Sequence, residues 1–223
     1  MDTYDVSKET QYLQFLQQHE QNLRNAHSRK GQCPRATKSR DEIIMQFMFR
    51  RMMADNRSAG SDTIRFSFVP RAYASCTTPL SDLKKVMIKD LTLETHHRGC
   101  YAMLKAVTPP DKMTGVMVIM EDEAIDVLML QLYHQVDRIS THGHLTQGTV
   151  MIVKEPYLKV MSDDDYGIWV NHLSDIKFIP EHSDLVPLPW KERVTEIGTS
   201  ANDWKVKGNK HFKESRYQLA IDW

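Results

Sequence analysis

The stretch that decides the fold is GCYAMLKAVTPPDKMTGVMVIMEDEAIDVLMLQLYH, residues 99–134. From about residue 83 the apolar residues repeat every second position, the period of a strand. Three strands are read here, Gly99–Val107, Thr114–Met120 and Ile125–His134, separated by Pro109-Pro110-Asp111 and by the acidic Glu121–Glu123. Working outward, Lys85–Leu93 precedes them, and Thr149–Met161 and Tyr166–Ile179 follow, with Asp163–Asp165 ahead of Gly167 as a turn. Pro156 marks a bulge or an edge inside the long strand. Three strands, a connection at 136–147 and a two-strand hairpin suit a small five-stranded antiparallel barrel of the OB type. A strongly bent sheet covered by a helix at 41–53 fits the same pattern.

Upstream, residues 7–27 read as a polar helix with a thin apolar stripe of Tyr12, Leu13, Phe15, Leu16 and Leu23. Residues 24–40 then hold six basic side chains and no acid, and Gly31 and Pro34 break the helix there. This run reads as a solvated basic linker, with a nuclear-localisation or phosphate-contacting tract as the alternative. A second helix starts at the capping box Ser39-Arg40-Asp41-Glu42 and carries Ile43, Ile44, Phe47, Met48 and Met52 at helical spacing. It should stop before Gly60, and a short strand-like piece at Ile64–Val69 is closed by Pro70.

Composition limits the function classes. The chain has 223 residues, 41% hydrophobic and 26% charged, an ordinary globular balance. Its 29 Lys+Arg cancel 29 Asp+Glu, so there is no global pull toward nucleic acid or anionic membrane. No run of 18 apolar residues and no signal-peptide pattern is read, so a cytoplasmic and/or nuclear protein is expected. Cys33, Cys76 and Cys100 are odd in number and far apart, which supports neither a disulfide framework nor a zinc ribbon. His96-His97 and His142-Gly143-His144 lack convergent partners and read as surface imidazoles, so no metal is expected. Glu121-Asp122-Glu123 with Asp126, and Asp163–Asp165, read as solvated hairpin ends rather than cation sites. The thirteen methionines read first as core filler. No nucleophile elbow, Walker loop or G-x-G-x-x-G occurs, so no cofactor is expected.

Tyr101, Tyr133, Tyr157, Tyr166 and Trp169 could stack on bases, as single-strand binders require. Residues 98–180, however, hold seven Lys/Arg against eleven Asp/Glu. A groove for single strands should be positive, so nucleic acid is not the expected partner and these aromatics read as core or as a protein-contact face.

The C-terminal stretch SANDWKVKGNKHFKESRYQLAIDW (200–223) places Trp204, Gly208, Phe212, Tyr217, Ala220 and Ile221 where one tetratricopeptide repeat would have them. Gly208 lets two helices approach closely and Ala220 is the small residue facing it. Lys207 and His211 depart from the usual Leu and Tyr.

With that stretch, AIDVLMLQLYHQ (124–135) and GTVMIVKEPYLKVMSDDDYGIWVNHLSD (148–175) resemble the N-terminal half of fungal TPR-and-SET-domain proteins, over roughly residues 80–223. The resemblance implies further repeats and a SET lysine-methyltransferase core in a full-length relative. Asn171-His172 lacks the Ser-Cys that a SET motif needs and reads as a strand end. In tetratricopeptide proteins that bind acidic chaperone C-termini, the first helix offers a Lys and, four residues on, an Asn. Lys205 and Asn209 match those positions, on one helix face, as partner-binding residues in a longer form.

The expectation is therefore an α+β chain: N-terminal helices at 1–60 with the basic linker 24–40, an OB-like antiparallel barrel or bent sheet at 80–180, a linker at 181–200 and an incomplete tetratricopeptide helical hairpin at 201–223. The expected function is non-catalytic protein–protein interaction, with no enzyme activity. The alternatives are the non-catalytic half of a SET-type lysine methyltransferase and a single-stranded nucleic-acid binder.

Overall fold

The computed structural model describes residues 6–34, 38–57, 72–112, 115–133, 145–160, 165–180, 183–191 and, near the C-terminus, residues 205, 209, 212 and 213. Among these residues the architecture is α+β, with one large mixed sheet and two long helices, α1 (Val6–Ser28) and α2 (Arg40–Arg57).

Five segments close the sheet into a barrel. They are β3 (Cys100–Ala106), β5 (Val116–Glu121), β6 (Val127–Leu132), the broken strand β7 (Val150–Lys154) and β8 (Tyr157–Val160), and β9 (Tyr166–Val170). β3 pairs antiparallel with both β5 and β7, β5 with β6, and β8 with β9, while β9 runs parallel to β6. Because β7 and β8 are one chain interrupted only at Glu155-Pro156, the ring is complete. This is the connectivity of an OB barrel. Pro156 does mark the break, and Glu155 before it takes a positive φ of 47°. The strands β1 (Lys84–Lys85), β2 (Thr95–His96), β4 (Asp111–Lys112) and β10 (Ile176–Ile179) extend the edges by pairing β3, β8, β5 and β7.

Side chains alternate as the strand period requires. Leu104, Val118, Met120, Leu130, Met151 and Ile168 point inward and are essentially inaccessible. The outer face has three sectors. Met103, Val150 and Ile152 are covered by Ile179 and Val186. Ile119 and Met129 are covered by α2 through Phe47, with Ile43 and Ile44 beside it. The third sector, over β6, β9 and β8, carries aromatic rings. Barrel closure and helix cover, weighed as competitors from the sequence, therefore coexist.

Several expectations are corrected. The sheet is mixed, not purely antiparallel, since β6–β9 and β1–β3 are parallel. Lys85–Leu93 is not a strand. Val86 and Ile88 keep a period of two, but the next buried residue is Leu91, and the extra step is taken by a 3-10 turn at Ile88–Asp90. Tyr166–Ile179 is two strands, split by a 3-10 turn at Leu173–Asp175.

The basic side chains of 24–40 do not simply face solvent. Gly31 sits at φ 76°, the left-handed value that ends a helix, and its N–H donates to Leu93 O at 2.8 Å. Leu93 N–H returns a bond to Gln32 O at 2.9 Å. Lys38 pairs with Asp165 at 2.7 Å, Arg40 with Glu121 at 2.8 Å, and Arg29 donates to Tyr166 Oη at 3.2 Å. The capping box forms as expected: Ser39 N–H donates to Glu42 Oε2 at 2.7 Å and Glu42 N–H to Ser39 Oγ at 3.4 Å. These bonds from Ser39, backbone first, hold the Glu42 carboxyl below its ordinary range. The strand-like piece at 64–69, His142 and His144, Asp163-Asp164 and most of the tetratricopeptide stretch lie outside the described residues.

Candidate functional site

Two surfaces stand out, one aromatic and one on α2. On the outer face of the third sector, register aligns Gln131 opposite Trp169, Trp169 opposite Tyr157, and Tyr157 opposite His96. Alternation then puts Tyr133, Lys159 and Asn171 on the same face. Tyr133 stacks on Trp169 with centroids 4.3 Å apart and planes at 18°. Lys159 Nζ lies 4.8 Å from the Trp169 centroid and 5.9 Å from that of Tyr157, within cation–π range. His96 stacks on Tyr157 at 5.4 Å, and Tyr73 closes the end, edge-on to His96 at 4.6 Å and to His172 at 5.4 Å.

The polar atoms of this row are internally satisfied. Trp169 Nε1–H donates to Asn171 Oδ1 at 2.9 Å, Tyr133 Oη–H to Gln131 Oε1 at 2.6 Å, and Tyr73 Oη–H to Trp169 O at 3.3 Å. Burial pushes the Tyr133 hydroxyl up to about 12. Burial, then the nearby Glu94 carboxylate, raises Tyr157 as well. Burial, then the Arg98 charge, lowers His96. Trp169 is only 7% exposed, so its face is taken by Tyr133 and Lys159 rather than offered to a base. His97 bridges Thr92 N–H and Pro156 O, so neither member of the His pair is the surface imidazole expected. His172 contacts Tyr73 O, consistent with Asn171-His172 as a strand end.

The second surface is the outer side of α2. While Phe47 is 3% exposed against the barrel, Met45, Met48, Phe49, Met52 and Met53 are 64, 40, 53, 51 and 37% exposed. Five large apolar side chains in one helical stretch make a contiguous patch of the kind that marks contact sites. Unbranched Met adapts to irregular partners. These methionines are not core filler, contrary to the first reading, whereas Met103, Met120, Met129 and Met151 are.

The acidic turn Glu121–Glu123 is also reassigned. Asp122 is 1% exposed and its carboxylate accepts three backbone N–H bonds, from Ile88 at 2.8 Å, Ala124 at 2.9 Å and Asp126 at 3.1 Å. Burial nevertheless raises its carboxyl above the ordinary range, against the pull of those bonds. Glu155, also buried, goes the other way: burial pushes it up, but Gly99 N–H at 3.0 Å and the Arg98 guanidinium outweigh that.

Among the described residues no group of three or more His, Cys, Asp or Glu could hold a metal ion, and no helix is long and apolar enough to cross a membrane. Lys205 and Asn209 are both helical and exposed, one turn apart. Sequence reasoning missed the α2 outer face. Met48 and Met52, read with Ile43, Ile44 and Phe47 as one stripe, stand instead on the outer side at 40 and 51% exposed; the signal that was present is Met45, Phe49 and Met53, which fall off that stripe.

No family model matches the chain. Among solved structures, it resembles Schizosaccharomyces pombe Pot1pC bound to ssDNA, with TM-score 0.36, 10% identity, and coverage of 45% of this chain and 90% of that one. Fission yeast Pot1 with ssDNA gives TM-score 0.36 and 10% identity over 58% of this chain and 54% of that one. The p204 HINb domain gives 0.29 and 9% over 36% and 39%. Among curated proteins, a protein of Gibberella zeae named methyltransferase is 33% identical over 99% of this chain. The chain spans 28% of that relative's length. This finding corrects the expectation of no enzyme: the chain aligns throughout with part of a protein named as an enzyme, and its relationship is to a methyltransferase.

Proposed function

We propose that this chain is a docking module of a fungal methyltransferase-related protein, in which the barrel presents α2 to a protein partner or substrate. The observation that carries the reading is the division of α2: Ile43, Ile44 and Phe47 clamp it to the barrel, and the Met/Phe stripe is left on the far side. The zero net charge and the acidic balance of 98–180 favour a protein over a nucleic acid. In the finer form of this reading, residues 201–223 begin a tetratricopeptide array leading to a SET core. Lys205 and Asn209 then supply part of a carboxylate clamp for an acidic chaperone C-terminus, completed by later repeats.

The test is photo-crosslinking from position 49, with Phe49 replaced by p-benzoylphenylalanine, in fungal extract. A discrete protein adduct that is lost on Met45→Ser with Met52→Ser is expected. No adduct, or one indifferent to those changes, would overturn the reading.

A second reading, single-strand nucleic-acid binding, draws on the half-buried Tyr133 ring and the Lys159 ammonium on an outer sheet face, the Trp169 face itself being covered by both. A salt-dependent oligonucleotide titration that is weakened by Tyr133→Ala would favour it over protein docking.

A further inference from the structure

All four methionines of α2, Met45, Met48, Met52 and Met53, stand on its outer side, between 37 and 64% exposed. Residues three and four apart share a helix face, so with Phe49 they form one stripe. The side that clamps the helix to the barrel, Ile43, Ile44 and Phe47, contains no sulfur. The barrel's own methionines are shut in: Met103, Met120, Met129 and Met151 are at most 6% exposed. One helix therefore separates its anchoring groups from its oxidisable ones.

That separation decides what an oxidant does. A thioether reacts with a peroxide wherever its sulfur can be reached, whereas a core sulfur waits for the structure to open. The product is chemically different: a sulfoxide is polar, and its oxygen accepts hydrogen bonds far better than the thioether sulfur does. On α2 the change falls on the exposed stripe and leaves the clamp against Ile119 and Met129 as it was. A sulfoxide carried into an apolar contact must shed its water, so the stripe loses its use as a contact face without loss of the fold.

We propose that Met45, Met48, Met52 and Met53 form a reversible modification site for peroxides, at which oxidation to methionine sulfoxide switches the outer face of α2 from apolar to polar. In its consequence for a partner, the inference rests on the docking reading of the same face. In the step, a sulfur lone pair attacks one peroxide oxygen, the S–O bond forms and the O–O bond breaks. The proton of the transferred hydroxyl passes to the departing hydroxide, which leaves as water. Sulfur gives up the two electrons that the peroxide gains. The reverse step takes two electrons from a dithiol, which becomes a disulfide, and the oxygen leaves as water.

The experiment treats the chain with hydrogen peroxide, maps sulfoxides by peptide mass spectrometry, and follows the fold by circular dichroism and the apolar surface by retention on a butyl matrix. The four α2 methionines should oxidise at least about tenfold faster than Met103, Met120, Met129 and Met151, since the core sulfurs wait on opening. Retention should fall with the circular dichroism unchanged. The two methionine sulfoxide reductases, one for each sulfoxide epimer, should restore it with dithiothreitol as the dithiol. A variant carrying Met45→Leu, Met48→Leu, Met52→Leu and Met53→Leu keeps the stripe apolar and should hold its retention through the same treatment. Because Cys33 is exposed as well, this variant also separates thioether from thiol chemistry. Oxidation of the core methionines at the same rate, unfolding at the dose that oxidises α2, or an equal fall in retention of the Leu variant would each overturn the proposal. In the cross-linking arm, the adduct from position 49 should be lost on oxidation and regained on reduction, and an adduct indifferent to oxidation would overturn the proposal too. Absence of any adduct from the reduced chain would overturn the docking reading alone, with the modification site still decided by the oxidation map and the retention.

Discussion

Replacing Asp122 tests whether the acidic turn belongs to the interior. Its carboxylate joins two segments 34 residues apart in sequence: Oδ2 accepts from Ile88 N–H, and Oδ1 from Ala124 and Asp126 N–H at the β5–β6 turn. Ile88 starts the 3-10 turn that delivers Leu91 and Leu93 to the barrel core. In Asp122→Ala all three donors lose their acceptor. The Ile88 N–H is buried and costs about 1–3 kcal/mol. The two turn donors are partly accessible and can reach water, so each costs nearer 0.5–1 kcal/mol. The sum is about 2–5 kcal/mol, a large share of the roughly 5–15 kcal/mol that holds a domain together. Asp122→Asn keeps one carbonyl oxygen and removes the penalty of a buried charge, so its loss should be nearer 1–2 kcal/mol. The assay is urea unfolding, with hydrogen exchange at the Ile88 amide as the local readout. If both variants stay within about 0.5 kcal/mol of the parent and Ile88 exchange is unchanged, the carboxylate is a solvated turn residue after all.

The division of α2 is checked by a pair of truncations: Phe47→Ala should cost about 3–5 kcal/mol in thermal unfolding, and Phe49→Ala within about 0.5 kcal/mol. At Gly115 an added Cβ would lie 2.7 Å from the Leu132 backbone oxygen, so Gly115→Ala should destabilise by about 1–3 kcal/mol through forced strand displacement, read by unfolding midpoint. Glu155 has a depressed folded pKa, so its stabilising contribution is complete above its ordinary value of 4.5 and is lost as pH falls through the folded value. Glu155→Gln should therefore flatten the acid limb of a stability–pH profile, whereas an unaltered limb would show that Arg98 and Gly99 do not hold the carboxylate.

Legibility from sequence followed the range of the interactions. The capping box at Ser39 and Glu42, the helix end at Gly31 and the break at Pro156 are local, and each was readable from the residues themselves. Strand cores in β3, β5 and β6 were readable because alternation survives burial of the outer face only in part: Gln131, Lys105 and Tyr101 keep some polarity there. What failed was non-local. Asp122 resembled any acidic turn until Ile88 was folded against it. Lys38 and Arg40 resembled a solvated basic run because their acids lie 127 and 81 residues away. The parallel pairing of β6 with β9, which closes the barrel, leaves no mark in either strand's composition. The outer stripe of α2 was hidden for another reason: methionine serves cores and contact faces alike, so its residue type does not say which side it is on.

The most direct test of the central claim is the affinity of this chain for the protein captured by cross-linking from position 49, measured for the unaltered chain and for one substituted Met45→Ser, Phe49→Ser and Met52→Ser. Loss of that apolar contact should weaken binding by about tenfold or more, because large exposed apolar side chains leave the contact. An unchanged affinity would contradict docking through α2.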